Sequence, residues 1–81
     1  MNTWETLRSG FFDGFVDGQL ITDADLHKMF LKKTRNDTKG DYYWFKKNLV
    51  ALDILTETNI KKTFKFTKDN VEKALRGNGI E

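Results

Sequence analysis

Apolar residues in the first third of the chain recur at intervals of three and four: Trp4, Leu7, Phe11 and Phe15. That spacing predicts one stripe along an amphipathic helix. An Asn2 or Thr3 cap would open it, with acidic Glu5 in its first turn. Gly10, Gly14 and Gly18 follow every fourth residue, inside the near-repeat Phe12-Asp13-Gly14 and Val16-Asp17-Gly18. An interior Gly costs a helix about 1 kcal/mol relative to Ala. The first two glycines therefore suggest close approach of a backbone or a large ring, and Gly18 a helix end.

Gln19-Leu20-Ile21 suits one short strand. Thr22 or Asp23 then caps a second helix, with Asp25 in its first turn and Leu26, Met29 and Phe30 facing inward. Lys32, Lys33 and Arg35 gather at its C-terminal end, where they complement the helix dipole. Asn36, Asp37, Thr38 and Gly40 read as a polar turn. A third helix is expected over residues 41–52. At about 100° per residue, Tyr42, Phe45, Leu49 and Leu52 share an arc of roughly 80°. Tyr43, Lys46, Lys47 and Val50 are placed on the opposite side. Next come a strand over 54–58, a turn at Thr58-Asn59 and a second strand over 61–67. In that strand Phe64 and Phe66 alternate with Thr63, Lys65 and Thr67. A last short helix, capped by Thr67 or Asp69, carries Val71, Ala74 and Leu75 inward.

The stretch from Phe45 to Thr67 has an apolar helix end, Leu49-Val50-Ala51-Leu52, an outgoing Ile54-Leu55-Thr56-Glu57, a lysine-bearing turn and a returning Phe64-Lys65-Phe66-Thr67. With the element order before it, the chain resembles a winged helix-turn-helix domain over roughly residues 3–75. The fold class expected is α+β, mainly α: a three-helix core, a short strand, a C-terminal β-hairpin wing and a short closing helix. Two departures stand out. Asp53 occupies a helix-strand corner where such domains often carry Gly, and the 34–40 turn is longer than a compact helix-turn-helix needs. The longer turn leaves the docking angle of the third helix open.

The resemblance implies a third helix lying in the DNA major groove, with its early residues nearest the base edges. On this chain that assigns Thr38, Lys39, Tyr43, Lys46, Lys47 and Val50 to the recognition helix. Asn59, Lys61, Lys62 and Lys65 would form the wing contact to the DNA backbone or adjacent minor groove. Lys32, Lys33 and Arg35 would supply flanking phosphate contacts.

Charge sharpens this picture. Residues 1–26 carry one base against five acids, a net of −4, whereas residues 27–68 carry eleven bases against four acids, a net of +7. Residues 69–81 return to −1, so the overall +2 conceals a basic middle suited to a polyanion. Six engaged charges would make affinity fall roughly a thousandfold between about 50 and 200 mM salt. Lysine outnumbers arginine eleven to three, which favours holding a backbone over reading guanine.

The remaining composition narrows the classes. Length predicts a single domain over 1–81, with 77–81 frayed at its end. No Cys is present, so disulfides and thiolate sites are excluded. The apolar runs, such as Met29-Phe30-Leu31, are too short for a membrane span or a secretory signal, and a cytoplasmic location is expected. Asp13 to Asp25 faintly echoes a calcium loop, but Phe15 and Ala24 stand at its third and twelfth positions, where oxygen ligands are required. With one histidine, His27, and no grouping of nucleophile, base and orienting residue, neither an enzyme nor a cofactor is expected.

Tyr42-Tyr43-Trp44-Phe45 is expected to place two rings in the core, with Tyr43 the outward member; a stacking platform for single strands is the alternative. Phe12 and Val16 either complete the core or, with Val71 and Leu75, form a homodimer seam. The expected partner is double-stranded DNA, for a bacterial or phage transcriptional regulator or accessory factor. A protein-protein module, such as an inhibitor of a host factor, is the rival.

Overall fold

The protein is described by a computed structural model over residues 3–35 and 39–77. It is a small α+β domain, mainly helical, with one three-stranded antiparallel sheet. The elements run α1 (Thr3–Arg8), β1 (Leu20–Thr22), α2 (Asp23–Thr34), α3 (Lys39–Ala51), β2 (Leu55–Glu57), β3 (Thr63–Phe66) and α4 (Lys68–Gly77). The expected Asn2 cap, the Asn36–Thr38 turn and the chain end beyond Gly77 lie outside the described residues.

The long first helix expected from the apolar spacing does not form. α1 stops at Arg8, and tight turns follow, closed by Gly10 N donating to Leu7 O (3.2 Å), Asp13 N to Gly10 O (3.0 Å) and Phe15 N to Phe12 O (3.0 Å). Gly10, Gly14 and Gly18 have φ of +88°, +87° and +86°, a left-handed conformation that interrupts any helix. A Cβ on Gly14 or Gly18 would meet nothing within 4 Å. Backbone conformation accounts for Gly14, where the sequence suggests close packing, and for Gly18, expected as a helix end; at Gly10 a Cβ would meet the Asp13 carboxylate rather than a backbone or a ring. The turns still deliver Phe11 and Phe12 to the core and leave Phe15 half-buried.

α2 starts as its sequence suggests. Thr22 is extended, and its Oγ1 accepts from Asp25 N at 3.1 Å. β1 lies one residue later than expected, and Gly40 sits in the first turn of α3 rather than in the preceding turn. α3 ends with Ile54 N donating to Leu49 O at 3.0 Å, which leaves Asp53 at φ +59°. Asp53 thus occupies the left-handed cap position where helices usually take Gly. Asn70 Nδ2 donates to its carbonyl at 2.8 Å.

The strands pair in the order β1-β3-β2, with Ile21 opposite Phe64 and Leu55 opposite Phe66. Both hairpin strands are shorter than expected, and Lys61 and Lys62 belong to the connecting loop. Phe64 and Phe66 point into a core that also holds Leu26, Phe30, Tyr42, Phe45, Leu49, Ile54 and Leu55. Edge-to-face and tilted ring pairs, such as Phe11–Phe45 at 5.0 Å and Phe12–Phe66 at 4.7 Å, fill it. Phe12 is therefore a core residue and is not exposed to form a dimer seam; Val71 and Leu75 are half-buried against the same core. Of the four residues proposed for that seam only Val16 is exposed, at 64%.

α4 is capped from a distance. Its first N–H, on Lys68, donates to Asp17 Oδ1 at 2.8 Å, a role expected for Thr67 or Asp69. Beside it, Gly18 N donates to Phe66 O (2.7 Å) and Phe66 N to Gln19 O (2.8 Å), binding the turn segment to the end of β3. Among the described residues no helix is long and apolar enough to cross a membrane.

Candidate nucleic-acid interface

α3 turns Tyr42, Phe45 and Leu49 inward, as their shared arc requires. Its neighbours are left outside: Tyr43 is 51% and Trp44 58% exposed. Trp44 is thus an outward ring as much as Tyr43, in keeping with two of the four consecutive rings in the core. Lys47 is exposed and belongs with them, its Nζ 5.7 Å from the Tyr43 ring centre and 5.1 Å from that of Trp44.

Lys46 and Val50 do not lie opposite the core face. Lys46 follows Tyr42 by four residues, one turn along the same side, and its Nζ pairs with Asp23 Oδ1 at 3.3 Å while lying 5.5 Å from the Tyr42 ring centre. Val50, four residues further, is half-buried against the core. Asp23, at the start of α2, is the hub of this corner. Tyr42 Oη donates to its carboxylate and lies 3.1 Å from its carbonyl oxygen. Asp23 N donates to Lys62 O at 2.8 Å, which fixes the hairpin loop against the start of α2.

The charges of this corner perturb one another. Partial burial pushes the Asp23 carboxyl upward, but the Tyr42 hydroxyl, Lys46 and Lys62 outweigh it and hold it below its ordinary value. Burial, then the Asp23 carboxylate, push the Tyr42 hydroxyl well above its ordinary value. His27, one turn after Asp23 on α2, stacks on Tyr42 at 4.1 Å and 14°. Its buried Nε2 has no hydrogen-bond partner among the described residues.

The hairpin loop is ordered by Thr58. Its Oγ1 accepts from Ile60 N (3.1 Å) and lies 3.0 Å from the Thr63 carbonyl as a donor. Lys62 takes φ +55°, and Asn59, Lys61 and Lys62 are exposed. Ile60 at the same tip is 53% exposed, an apolar residue the sequence reading passed over. Lys65 differs from the loop lysines. It is exposed on the central strand, on the sheet face away from Phe64 and Phe66 and hence away from the helices.

The C-terminal end of α2 is separate again. It is about 15 Å along the axis from Asp23 at ~1.5 Å per residue. There Lys33 Nζ donates to Ser9 O at 3.0 Å, and Lys32 and Lys33 border a cleft with Gly10, Phe11 and Met29. Arg35 is the left-handed cap of the helix, φ +57°, with its N–H on Leu31 O at 2.7 Å. Lys32 and Lys33 thus face the turn segment after α1, not the Asp23 corner, and Arg35 follows them at the far end of the helix. Thr38 lies outside the described residues, as does the side chain of Lys39, whose backbone opens α3.

The structure therefore joins Lys46, Lys62 and Asp23 at one corner, with Tyr43 and Lys47 on the outward side of the same helix. Lys65 and the α2 C-terminal bases are elsewhere. The Lys46 position is readable in sequence, since residues four apart share a helix face, whereas the Lys62–Asp23 link between distant segments is not. A second feature of α3 has no counterpart in the sequence reading: a cleft of about 500 Å³ bordered by Thr3, Trp4, Phe30, Asp41, Trp44, Phe45 and Asn48. Among the described residues no group of three or more His, Asp or Glu side chains could hold a metal ion. No protein-family model matches the chain, and no curated protein or solved structure is significantly similar to it.

Proposed function

We propose that this chain is a small winged-helix DNA-binding protein, a transcriptional regulator or accessory factor of bacterial or phage type. The order α1-β1-α2-α3-β2-β3-α4 and the sheet order β1-β3-β2 support the winged helix-turn-helix reading, with the 58–62 loop as wing. One observation carries the DNA reading. The wing is hydrogen-bonded through Lys62 O to the start of α2, where Asp23 also pairs with Lys46 of α3, so helix and wing lysines share one surface.

On that surface Tyr43 and Lys47 face the major groove, and Asn59, Lys61 and Lys62 contact phosphates. Lys46 exchanges its Asp23 partner for phosphate, which costs part of its contribution. Three lysines on phosphate give a salt slope near −2.7, or roughly a 40-fold loss of affinity for a fourfold rise in salt. Fluorescence anisotropy with a labelled random 30-base-pair duplex, at 50 and 200 mM salt, tests this. Micromolar binding at low salt that collapses with salt and with Lys47→Glu plus Lys62→Glu is the expected result. Absence of binding by the wild type at 50 mM salt would refute it.

A further inference from the structure

We propose that the outward edge of α3 and the cleft beside it form a stacking site for the base of an unpaired nucleotide, such as one on a single-stranded extension adjoining a duplex. The inference rests on the DNA-binding reading above and adds a ligand class to it. Tyr43 and Trp44 meet edge to face, 5.8 Å apart at 76°, so they do not stack face to face on each other, and more than half of each residue is exposed. Aromatic faces of this kind hold bases with little sequence preference.

Lys47 and Asn48 follow Trp44 by three and four residues and therefore flank it one turn on. They offer different chemistry. Lys47 supplies a cation near both exposed rings. Asn48 borders the cleft, its amide oriented by donating to Thr3 Oγ1 at 2.8 Å. The cleft walls are Trp4, Trp44, Phe30 and Phe45, and at about 500 Å³ it has the size of a small-ligand site. Asp41 at its border keeps phosphate away from that end by charge, which sets a direction: base toward the cleft, phosphate at Lys47. The cleft lies on the other side of α3 from the Asp23 corner, so a strand leaving the duplex surface crosses Tyr43 and Lys47 before reaching it.

Both tryptophans of the protein border this cleft, so intrinsic emission reports its occupancy. The experiment compares a blunt 20-base-pair duplex with the same duplex carrying five unpaired thymidines, by anisotropy and tryptophan emission. Stacking is worth about 1–3 kcal/mol per base, so the extension should tighten binding by roughly fivefold or more and quench emission. Trp44→Ala, confirmed folded by circular dichroism, should bring the affinity ratio of the two duplexes close to one, while Trp44→Phe retains part of the gain. Equal affinity of the wild type for both duplexes overturns the stacking site and leaves the duplex reading standing. A gain that survives in Trp44→Ala overturns it as well. Binding to neither duplex overturns both readings and leaves the two exposed rings to a protein partner.

Discussion

Replacing Asp17 by Ala removes the oxygen that accepts Lys68 N–H at 2.8 Å and leaves the first turn of α4 without that partner. Loss of a helix N-cap costs about 1 kcal/mol, within a range of roughly 0.5–2. A carboxylate at that end also interacts with the helix dipole, worth about 0.3–1 kcal/mol and screened by salt. Asp17→Asn keeps an acceptor and gives up only the charge. The order of loss should be Asp17→Ala above Asp17→Asn, with Asp13→Ala least. Asp13 occupies the matching place in the preceding near-repeat, is exposed and caps no helix, so its removal should stay within about 0.5 kcal/mol. Thermal unfolding resolves this series, because 1 kcal/mol moves the midpoint of a domain of this size by about 4–8 °C. Equal losses for Asp13→Ala and Asp17→Ala would refute the assignment of Asp17 to α4. So would a loss for Asp17→Asn as large as for Asp17→Ala at low salt, since the acceptor would then contribute nothing.

Asp53 at φ +59° should accept Gly at no cost or with a small gain, whereas Asp53→Val should lose about 1–2 kcal/mol in urea unfolding, because a β-branched residue resists the left-handed region. The Asp23 carboxyl, held low in the folded protein, stabilises it above the usual value of 3.8, and that contribution should disappear as pH falls below it; Asp23→Asn should flatten the acid limb of a stability-pH profile. Tyr42, held high, stabilises the fold below about pH 10, and the unfolded chain gains the advantage as pH rises beyond that; subtracting a Tyr42→Phe profile should remove this alkaline component. On DNA, Asp23→Asn should tighten duplex binding roughly threefold to tenfold in the anisotropy assay, since one opposing charge leaves the Lys46–Lys62 corner.

Local signals were legible in the sequence where they act locally. The Thr22 cap, the inward side of α3 and the alternation in β3 all follow from neighbours within four residues, and all three are present, although the alternation holds over 64–66 and Thr63 is buried as well. α1 was overextended because aromatic rings delivered by consecutive four-residue turns have the same spacing as a helical stripe; only the left-handed glycines separate the two. The site was legible in part. Tyr43 and Lys47 sit outward as expected, but Lys46 and Val50 lie on the flank that their spacing from Tyr42 dictates. Lys65 was grouped with the loop lysines by proximity in sequence, whereas strand alternation turns it to the far sheet face. The acceptor of Lys68 N–H is 51 residues away, and no local pattern encodes it.

The turn segment between α1 and β1 has a consequence for how the chain is made. Its start is held by Lys33, through Ser9, and by Phe45, through Phe11, whereas its end is held by Phe66, through Gly18 and Gln19, and by Lys68, through Asp17. A ribosome releases residues in order, so the Asp17–Gln19 end of this segment waits for β3 and the start of α4 before it can be held. α2 and α3 are built from short-range contacts and can form while those partners are still in the exit tunnel. Phe11 can pack on Phe45 of α3 beforehand, but Phe12 lacks the Phe66 ring that closes over it until β3 emerges. Closure of the domain therefore follows the emergence of β3, and the interval before it is when the nascent chain presents part of its aromatic surface to other molecules.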